Sequence, residues 1–331
     1  MTVLVTGGSG HLGANLVRRL LDEGVALRVL ARRGHDNRAL EGLDVEWVWG
    51  DLGDYEATRA AVRGCRQVYH CAAKVSTSEA DRGEVYESNV VGTRHLLRAA
   101  HEAGVARVVV TGSFSAIGHD PRRPSDERVP VNPFDRLFPY QRSKIAVEHE
   151  CLLAMVDGLD VVIATSCAIV GPHDYKPSPM GRVLLDFAHG RLRAYIPGGF
   201  EFVAARDIVE GHRLAMDKGR PGHKYIFSTA FKTVDELMAI YEELTGRPRP
   251  RLRLPPAVMA GIAEVTSRVA ARFFPGAPRR FTPGAVKLLR MGRRADTTKA
   301  RSELGYRPTS VENALREAYA DFVRRGLIIR P

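Results

Sequence analysis

The chain has 331 residues, 44% of them hydrophobic and 26% charged, with a net charge of +11. That composition excludes a disordered or fibrous chain, and the length suffices for one large domain or two coupled ones, each with a substantial core. The positive excess is mostly arginine that never forms a run, so it reads as a solvated surface and not as a nucleic-acid tract.

Residues 3–6 read as a buried strand that runs straight into glycines, so no leader peptide is expected. Residues 12–23 follow as an amphipathic helix with Leu12, Leu16 and Leu20 on one face. Strands are expected at 26–31, 45–49, 67–71, 107–111 and 160–166, and helices at 55–62, 84–103 and 140–156. Nearly all-apolar strands alternating with helices predict an α/β chain with a parallel sheet covered on both faces.

Beyond residue 170 prolines and glycines cluster, and separate helices are expected at 181–187, 207–218, 234–245, 257–274, 283–291 and 310–324. A short strand at 225–228 should rejoin the sheet. The spacing of helix 257–274 suits either packing on its own domain or a lipid surface. The longest apolar stretch, around 159–171, is too short to cross a bilayer. Cys65, Cys71, Cys151 and Cys167 have no metal-site or C-x-x-C spacing, so reduced thiols and a cytoplasmic location are expected, with no metal.

Between the first strand and helix stands Thr6-Gly7-Gly8-Ser9-Gly10-His11-Leu12-Gly13. Glycine dihedrals for a tight turn, bare backbone N–H groups and a helix amino terminus together make a seat for a pyrophosphate. Gly7, Ser9, Gly10, His11, Leu12 and Gly13 are therefore expected at a dinucleotide.

The second strand ends Ala31-Arg32-Arg33, where a carboxylate would accept the ribose hydroxyls of NAD. A guanidinium there clamps a 2′-phosphate, or stacks on adenine, so NADP(H) is the expected cofactor with NAD as the alternative. Asp51-Leu52 suits the adenine amino group, and Ala72 and Ala73 are small enough for close backbone approach.

Tyr140 and Lys144 lie four apart on one helix, an arrangement expected to lower the phenol's pKa. Ser113 follows the strand at 107–111, at the mouth of the sheet, with Thr111 and Ser115 as rival hydroxyls.

These segments, with Asn89-Val90-Val91-Gly92-Thr93, Gly171-Pro172, Arg206-Asp207 and Asp296-Thr297-Thr298-Lys299-Ala300, resemble the extended short-chain dehydrogenases/reductases. Dihydroflavonol-4-reductase-like and hopanoid-associated epimerase-like members are the most similar, and the resemblance spans nearly the whole chain. It implies a doubly wound parallel Rossmann sheet over residues 1–170, with sheet-rejoining segments near 200–230. It also implies a smaller, mainly helical substrate-binding part over 171–331.

The implied triad is Ser113 holding the substrate oxygen, Tyr140 giving its proton, and Lys144 on the nicotinamide ribose, with Asn89 steadying the site. Ser166, Cys167 and Ala168 would line the nicotinamide. Two departures stand out: Gly112 where a serine is usual, and Ser166 where a proline is frequent. Lys74 is expected at the cofactor or substrate, and Ser115, Lys176 and Arg182 at the substrate.

The expected activity is NADPH-dependent reduction of a ketone on a hydrophobic polyketide-, steroid- or isoprenoid-like molecule. The alternative is a nucleotide-sugar epimerase or dehydratase with tightly held NAD. A homodimer through the helices at 84–103 and 140–156 is expected, with no nucleic-acid partner and no transmembrane segment.

Overall fold

A computed structural model describes residues 2–132, 134–135, 137–254 and 289–329. The first half runs β1 (Thr2–Thr6), α1 (His11–Asp22), β2 (Ala26–Ala31), β3 (Glu46–Trp49), α2 (Tyr55–Val62), β4 (Cys65–His70), α3 (Arg82–Tyr86), α4 (Gly92–Glu102), β5 (Arg107–Ser113), α5 (Pro139–Val156) and β6 (Val161–Ser166). The second half runs β7 (Ala168–Val170), α6 (Pro179–Ala188), β8 (Ala194–Tyr195), β9 (Gly199–Ala204), α7 (Ala205–Lys218), β10 (Lys224–Phe227), β11 (Ala230–Thr233), α8 (Val234–Thr245), β12 (Leu252–Arg253) and α9 (Val311–Arg324).

Seven strands form one parallel sheet in the order β10-β6-β5-β4-β1-β2-β3, the doubly wound arrangement expected from the sequence. β1 lies inside the sheet, between β4 and β2, for a simple reason. Successive side chains point to opposite faces, and both faces are covered. Val3 and Val5 enter one core, packed under α1, while Leu4 enters the other, with Leu96 and Leu97 of α4. Each fully buried valine or leucine contributes roughly 1.5–3 kcal/mol.

The strand order reverses between β1 and β4, so their carboxyl ends open a crevice at the glycine turn. The expected helix at 84–103 is interrupted: between α3 and α4 lies a π-helical turn, Glu87–Val91. Its extra residue per turn carries the Asn89 side chain into the interior, where it is 1% exposed.

Of the segments expected to rejoin the sheet, Lys224–Phe227 does so beside β6. Residues 200–204 do not. β9 pairs parallel with β7 and antiparallel with β11 in a separate three-stranded sheet, which packs on α6, α8 and α9 around Phe202 and Phe322. Two buried carboxylates tie these parts together. Glu201 accepts from the Ser228 hydroxyl (2.6 Å) and the Ala295 N–H (3.1 Å). Asp207 accepts from the Thr229 hydroxyl (2.5 Å) and the Thr309 N–H (2.9 Å).

The expected helix 257–274 and most of 283–291 lie outside the described residues. Among the described residues no helix is long and apolar enough to cross a membrane.

Candidate active site

The turn between β1 and α1 depends on its glycines. Gly7 has φ +72°, and a Cβ there would lie 2.5 Å from the Ala72 nitrogen; a Cβ on Gly13 would lie 2.2 Å from the Gly7 carbonyl oxygen. Gly10 closes the turn by donating its N–H to that same oxygen at 2.9 Å. The amino terminus of α1 takes no side-chain cap and has no acidic residue in its first turn. Its free N–H groups and the positive end of the helix dipole are left for an anion. The backbone thus fits a dinucleotide pyrophosphate, with Ala72 forming the close wall opposite.

At the end of β2, Arg32 Nη1 lies 3.3 Å from Asp51 Oδ2, with both side chains about half exposed (51% and 52%). An exposed pair of this kind contributes only about 0–1 kcal/mol, so the guanidinium is available to a stronger anion. Arg33 instead lies over the Trp49 ring at 4.9 Å. Asp51 Oδ1 accepts from the Gly53 N–H at 2.8 Å. The Leu52 carbonyl accepts from His95 Nδ1 at 3.0 Å, and its side chain packs closely on Gly92.

The expected triad meets at the carboxyl ends of β5 and β6, where Ser113 stands opposite Ser166. β5 continues two residues beyond its expected end and so carries Ser113 itself. The Ser113 and Ser115 hydroxyls share a hydrogen bond of 2.8 Å, and the Gln141 amide donates to the Ser115 carbonyl at 2.9 Å.

Burial pushes the Tyr140 phenol above its ordinary pKa, while a hydrogen bond with Ser113 pulls it down. The sequence expectation of a phenol lowered by Lys144 is therefore not met in this arrangement. The Lys144 ammonium is 6.0 Å from the Tyr140 ring centre and donates to the Thr111 carbonyl at 2.7 Å. Lys144 is itself held down to about 8 by burial.

Behind Lys144, Thr111 meets His212 of α7. His212 Nδ1 donates to the Ile208 carbonyl (2.8 Å), so Nε2 accepts from the Thr111 hydroxyl (2.8 Å). Burial keeps this imidazole neutral by lowering it to about 4.

Asn89 is the hub of a second buried chain. Its Oδ1 accepts from the Lys74 N–H (2.7 Å), and its Nδ2 donates to the Lys74 carbonyl and to Ser143 Oγ (both 2.9 Å). Ser143 in turn donates to the Tyr140 carbonyl at 2.8 Å. On the other side Thr93 donates to the Asn89 carbonyl and accepts from His70 Nε2, whose Nδ1 accepts from Thr6. The network runs from the strand before the glycine turn to the first turn of α5.

Asn89→Ala should cost about 1–3 kcal/mol of stability, because several buried polar groups lose their partner. It should also lower kcat, by up to about a hundredfold, through misplacement of Tyr140. Steady-state kinetics checks this: kcat falls while KM for the dinucleotide stays put, and a parallel rise in KM would contradict the positioning role.

The other expected residues fall in different places. The Lys74 side chain pairs with Glu84, so only its backbone faces the site network. Ser166 Oγ bonds to the Cys167 carbonyl at 2.9 Å in the β6–β7 link, with Ala168 opening β7. Arg182 is exposed and donates to the Pro177 carbonyl at 2.5 Å. Lys176, expected on the substrate wall, instead places its Nζ 2.9 Å from Ser9 Oγ on the glycine turn.

Sequence reasoning missed Ser143, His212 and Asn15, whose Nδ2 donates to the Pro172 carbonyl at 2.8 Å. No spacing signal marks them, because each partner is brought in by the tertiary fold.

A family model described as the NAD dependent epimerase/dehydratase family matches residues 3–227. The sequence is similar to sterol demethylase protein B of Methylococcus capsulatus, 48% identical over 99% of this chain and 100% of that protein. It is 28% identical to the 4-hydroxy-2-methyl-3-oxo-4-farnesyl-3,4-dihydroquinoline-1-oxide ketoreductase of Stigmatella aurantiaca, covering 92% of each chain. Among solved structures, the dTDP-glucose 4,6-dehydratase of Streptomyces venezuelae, described with NAD bound, is similar at a TM-score of 0.80 and 25% identity, covering 99% of each chain.

Proposed function

Because the chain belongs to the NAD dependent epimerase/dehydratase family of extended short-chain dehydrogenases/reductases, we propose that it is an NADPH-dependent ketone reductase for a hydrophobic steroid- or isoprenoid-like molecule. The observation that carries the cofactor half of this reading is Arg32. A weakly engaged guanidinium stands at the end of β2, where a carboxylate would favour NAD. The substrate half rests on relatives whose names specify a sterol and a farnesylated ketone.

In this reading residues 1–170 hold the dinucleotide, and residues 171–331 build most of the substrate pocket. The dinucleotide supplies a hydride to the carbonyl carbon. Ser113 and Tyr140 orient the carbonyl oxygen by hydrogen bonding. Tyr140 gives that oxygen its proton, and its upward-shifted pKa keeps the phenol protonated at neutral pH until charge develops. Lys144, its ammonium held on the Thr111 carbonyl one helical turn from Tyr140, would bind the ribose of the dinucleotide.

The experiment is a cofactor-consumption screen of NADPH against NADH over sterol-like ketones, isoprenoid ketones and sugar nucleotides. NADPH oxidation with a polycyclic or prenylated ketone is the expected result. A second reading is favoured by one specific likeness, to a dehydratase that acts on a nucleotide sugar. Protein that arrives with bound NAD and converts a UDP- or GDP-sugar without net cofactor use would establish that reading instead.

A homodimer is part of the proposal. Along α5 the residues Ser143, Lys144, Val147 and Cys151 are buried, yet Leu152, Leu153 and Val156 are exposed, Val156 at 79%. An apolar stripe beside α4 suits the same stripe of a second copy. Light scattering should give a dimer at micromolar concentration, and Leu153→Asp combined with Val156→Asp should give a monomer. A monomeric wild type overturns this. The four free cysteines suit a reducing cytoplasm.

A further inference from the structure

After β7 the chain does not leave the cofactor crevice but crosses it. Gly171, at φ +151°, lies so close to α7 that a Cβ would fall 2.5 Å from the Ala205 Cβ. The Pro172 carbonyl then accepts from Asn15 Nδ2 (2.8 Å) and from His11 Nε2 (3.1 Å), both on the first turns of α1. His173 adopts φ +60°, a left-handed conformation that a non-glycine residue keeps only when its surroundings enforce it.

They do so here. The His173 N–H donates to Asp321 Oδ2 (3.1 Å), a carboxylate 2% exposed and also held by Arg325 (2.9 Å). Arg325 and Arg18 both lie over the ring of Tyr175, at 4.2 and 5.7 Å. Residues 171–178 therefore form a strap fastened to α1 on one side and to α9 on the other.

At its crest is Lys176. Its ammonium donates to Ser9 Oγ at 2.9 Å, and two of its three N–H donors remain for another acceptor. Among the described residues no carboxylate forms an ion pair with it. Partial burial lowers its pKa, the Asp36 carboxylate raises it and the Arg32 guanidinium lowers it. Those two residues follow β2, so the ammonium faces the space between the glycine turn and the end of that strand. The Asp36 carboxylate is already taken by Arg38, at 2.7 and 3.0 Å.

We propose that Lys176 is the second cation of a ribose 2′-phosphate site, delivered by the strap onto the glycine turn opposite Arg32. Two cations from opposite halves of the chain then face one dianion. One is a planar fork at the strand end; the other is a point charge on a clasp. The assignment rests on the NADPH reading and adds a specificity-determining residue that lies 144 positions from Arg32 in the sequence. It also makes cofactor affinity depend on the C-terminal helix α9, which anchors the strap.

The test uses the full chain and two nucleotide probes, 2′,5′-ADP and 5′-AMP, which differ only in the 2′-phosphate. Calorimetric titration of Lys176→Met should show 2′,5′-ADP weakened by about 10–100-fold, the value of a charge-assisted hydrogen bond, and 5′-AMP changed by less than about threefold. Lys176→Arg should retain most of the affinity. Lys176 is exposed, so an unchanged melting temperature for both variants separates the effect from misfolding.

Equal weakening of both probes, or no weakening of either, overturns the assignment. If Arg32→Ala abolishes the preference while Lys176→Met leaves it intact, the NADPH reading stands and the Lys176 assignment falls. If the wild type itself does not prefer 2′,5′-ADP, the NADPH reading falls with it.

Discussion

Tyr140→Phe should lower ketone turnover by at least about a hundredfold, the low end for loss of a general acid, and leave dinucleotide affinity within about threefold. The substitution removes one oxygen from an enclosed ring, so the fold has no reason to change. What it removes is the proton. Burial raises the phenol's pKa and Ser113 only partly offsets that, so the group is protonated across the neutral range.

A protonated donor is what reduction requires, since the carbonyl oxygen must gain a proton as the carbon gains hydride. The pH profile follows. Turnover in the reductive direction should be flat through neutrality and fall above about pH 8, where Lys144 loses its charge. Stopped-time assays of NADPH oxidation across pH 6–10 check both statements. Unchanged turnover in Tyr140→Phe would remove the proposed acid from the mechanism.

Lys144→Met should pull activity and stability in opposite directions. Lys144 is 4% exposed, and burial holds its ammonium at about 8, below the ordinary 10.5. Below pH 8 the folded and unfolded chains both carry the proton, and the full cost of burying the charge is present. As pH rises from 8 to 10.5 the folded chain releases its proton first, and the cost is relieved.

The cofactor-free Lys144→Met protein should therefore be more stable than wild type at pH 7, by about 2–3 kcal/mol after allowing for the partner lost by the Thr111 carbonyl. The gap should narrow towards pH 10. Turnover should fall by about a hundredfold or more, because the proposed ribose contact is lost and the helix that carries Tyr140 loses its tie to the Thr111 carbonyl. Urea unfolding at pH 7 and pH 9.5 measures the stability half. A variant less stable than wild type at pH 7, or a gap that widens with pH, would contradict the account of a cation held at a cost for function.

How much of this could be read from the sequence depends on how local the signal is. β1, β2 and α2 are legible because strands buried on both faces read as nearly continuous apolar runs, broken in β2 by Arg28 alone, while helices bury one stripe. The glycine turn was legible because three glycines are fixed by contacts within the turn or directly across it, as Gly13 is against Gly7. Tyr140 and Lys144 were placed together by helical spacing alone.

The same spacing misled on electrostatics. It puts ring and ammonium on one face but cannot show that the ammonium turns to the Thr111 carbonyl. The π turn that buries Asn89 was hidden because its sequence reads as ordinary helix, and only the tertiary partners Lys74 and Ser143 justify the distortion. Pro197 and Gly198 before β9, with Gly199 as its first residue, hide it in the sequence, although Phe200 and Phe202 stand two apart as on one face of a strand. The sequence points Lys176 to the substrate because 167 positions separate it from Ser9 of the glycine turn, and nothing local shows which way the strap folds.

In the proposed reaction NADPH delivers a net hydride to a ketone that receives its proton from Tyr140. The most direct measurement is a single-turnover reaction with NADPH carrying deuterium at the transferred position, followed by mass spectrometry of the alcohol. The wild type should place one deuterium on the new carbinol carbon per NADPH oxidised, and Tyr140→Phe almost none over the same time. Label that stays in the dinucleotide while substrate is converted, or equal label transfer by Tyr140→Phe, would contradict it.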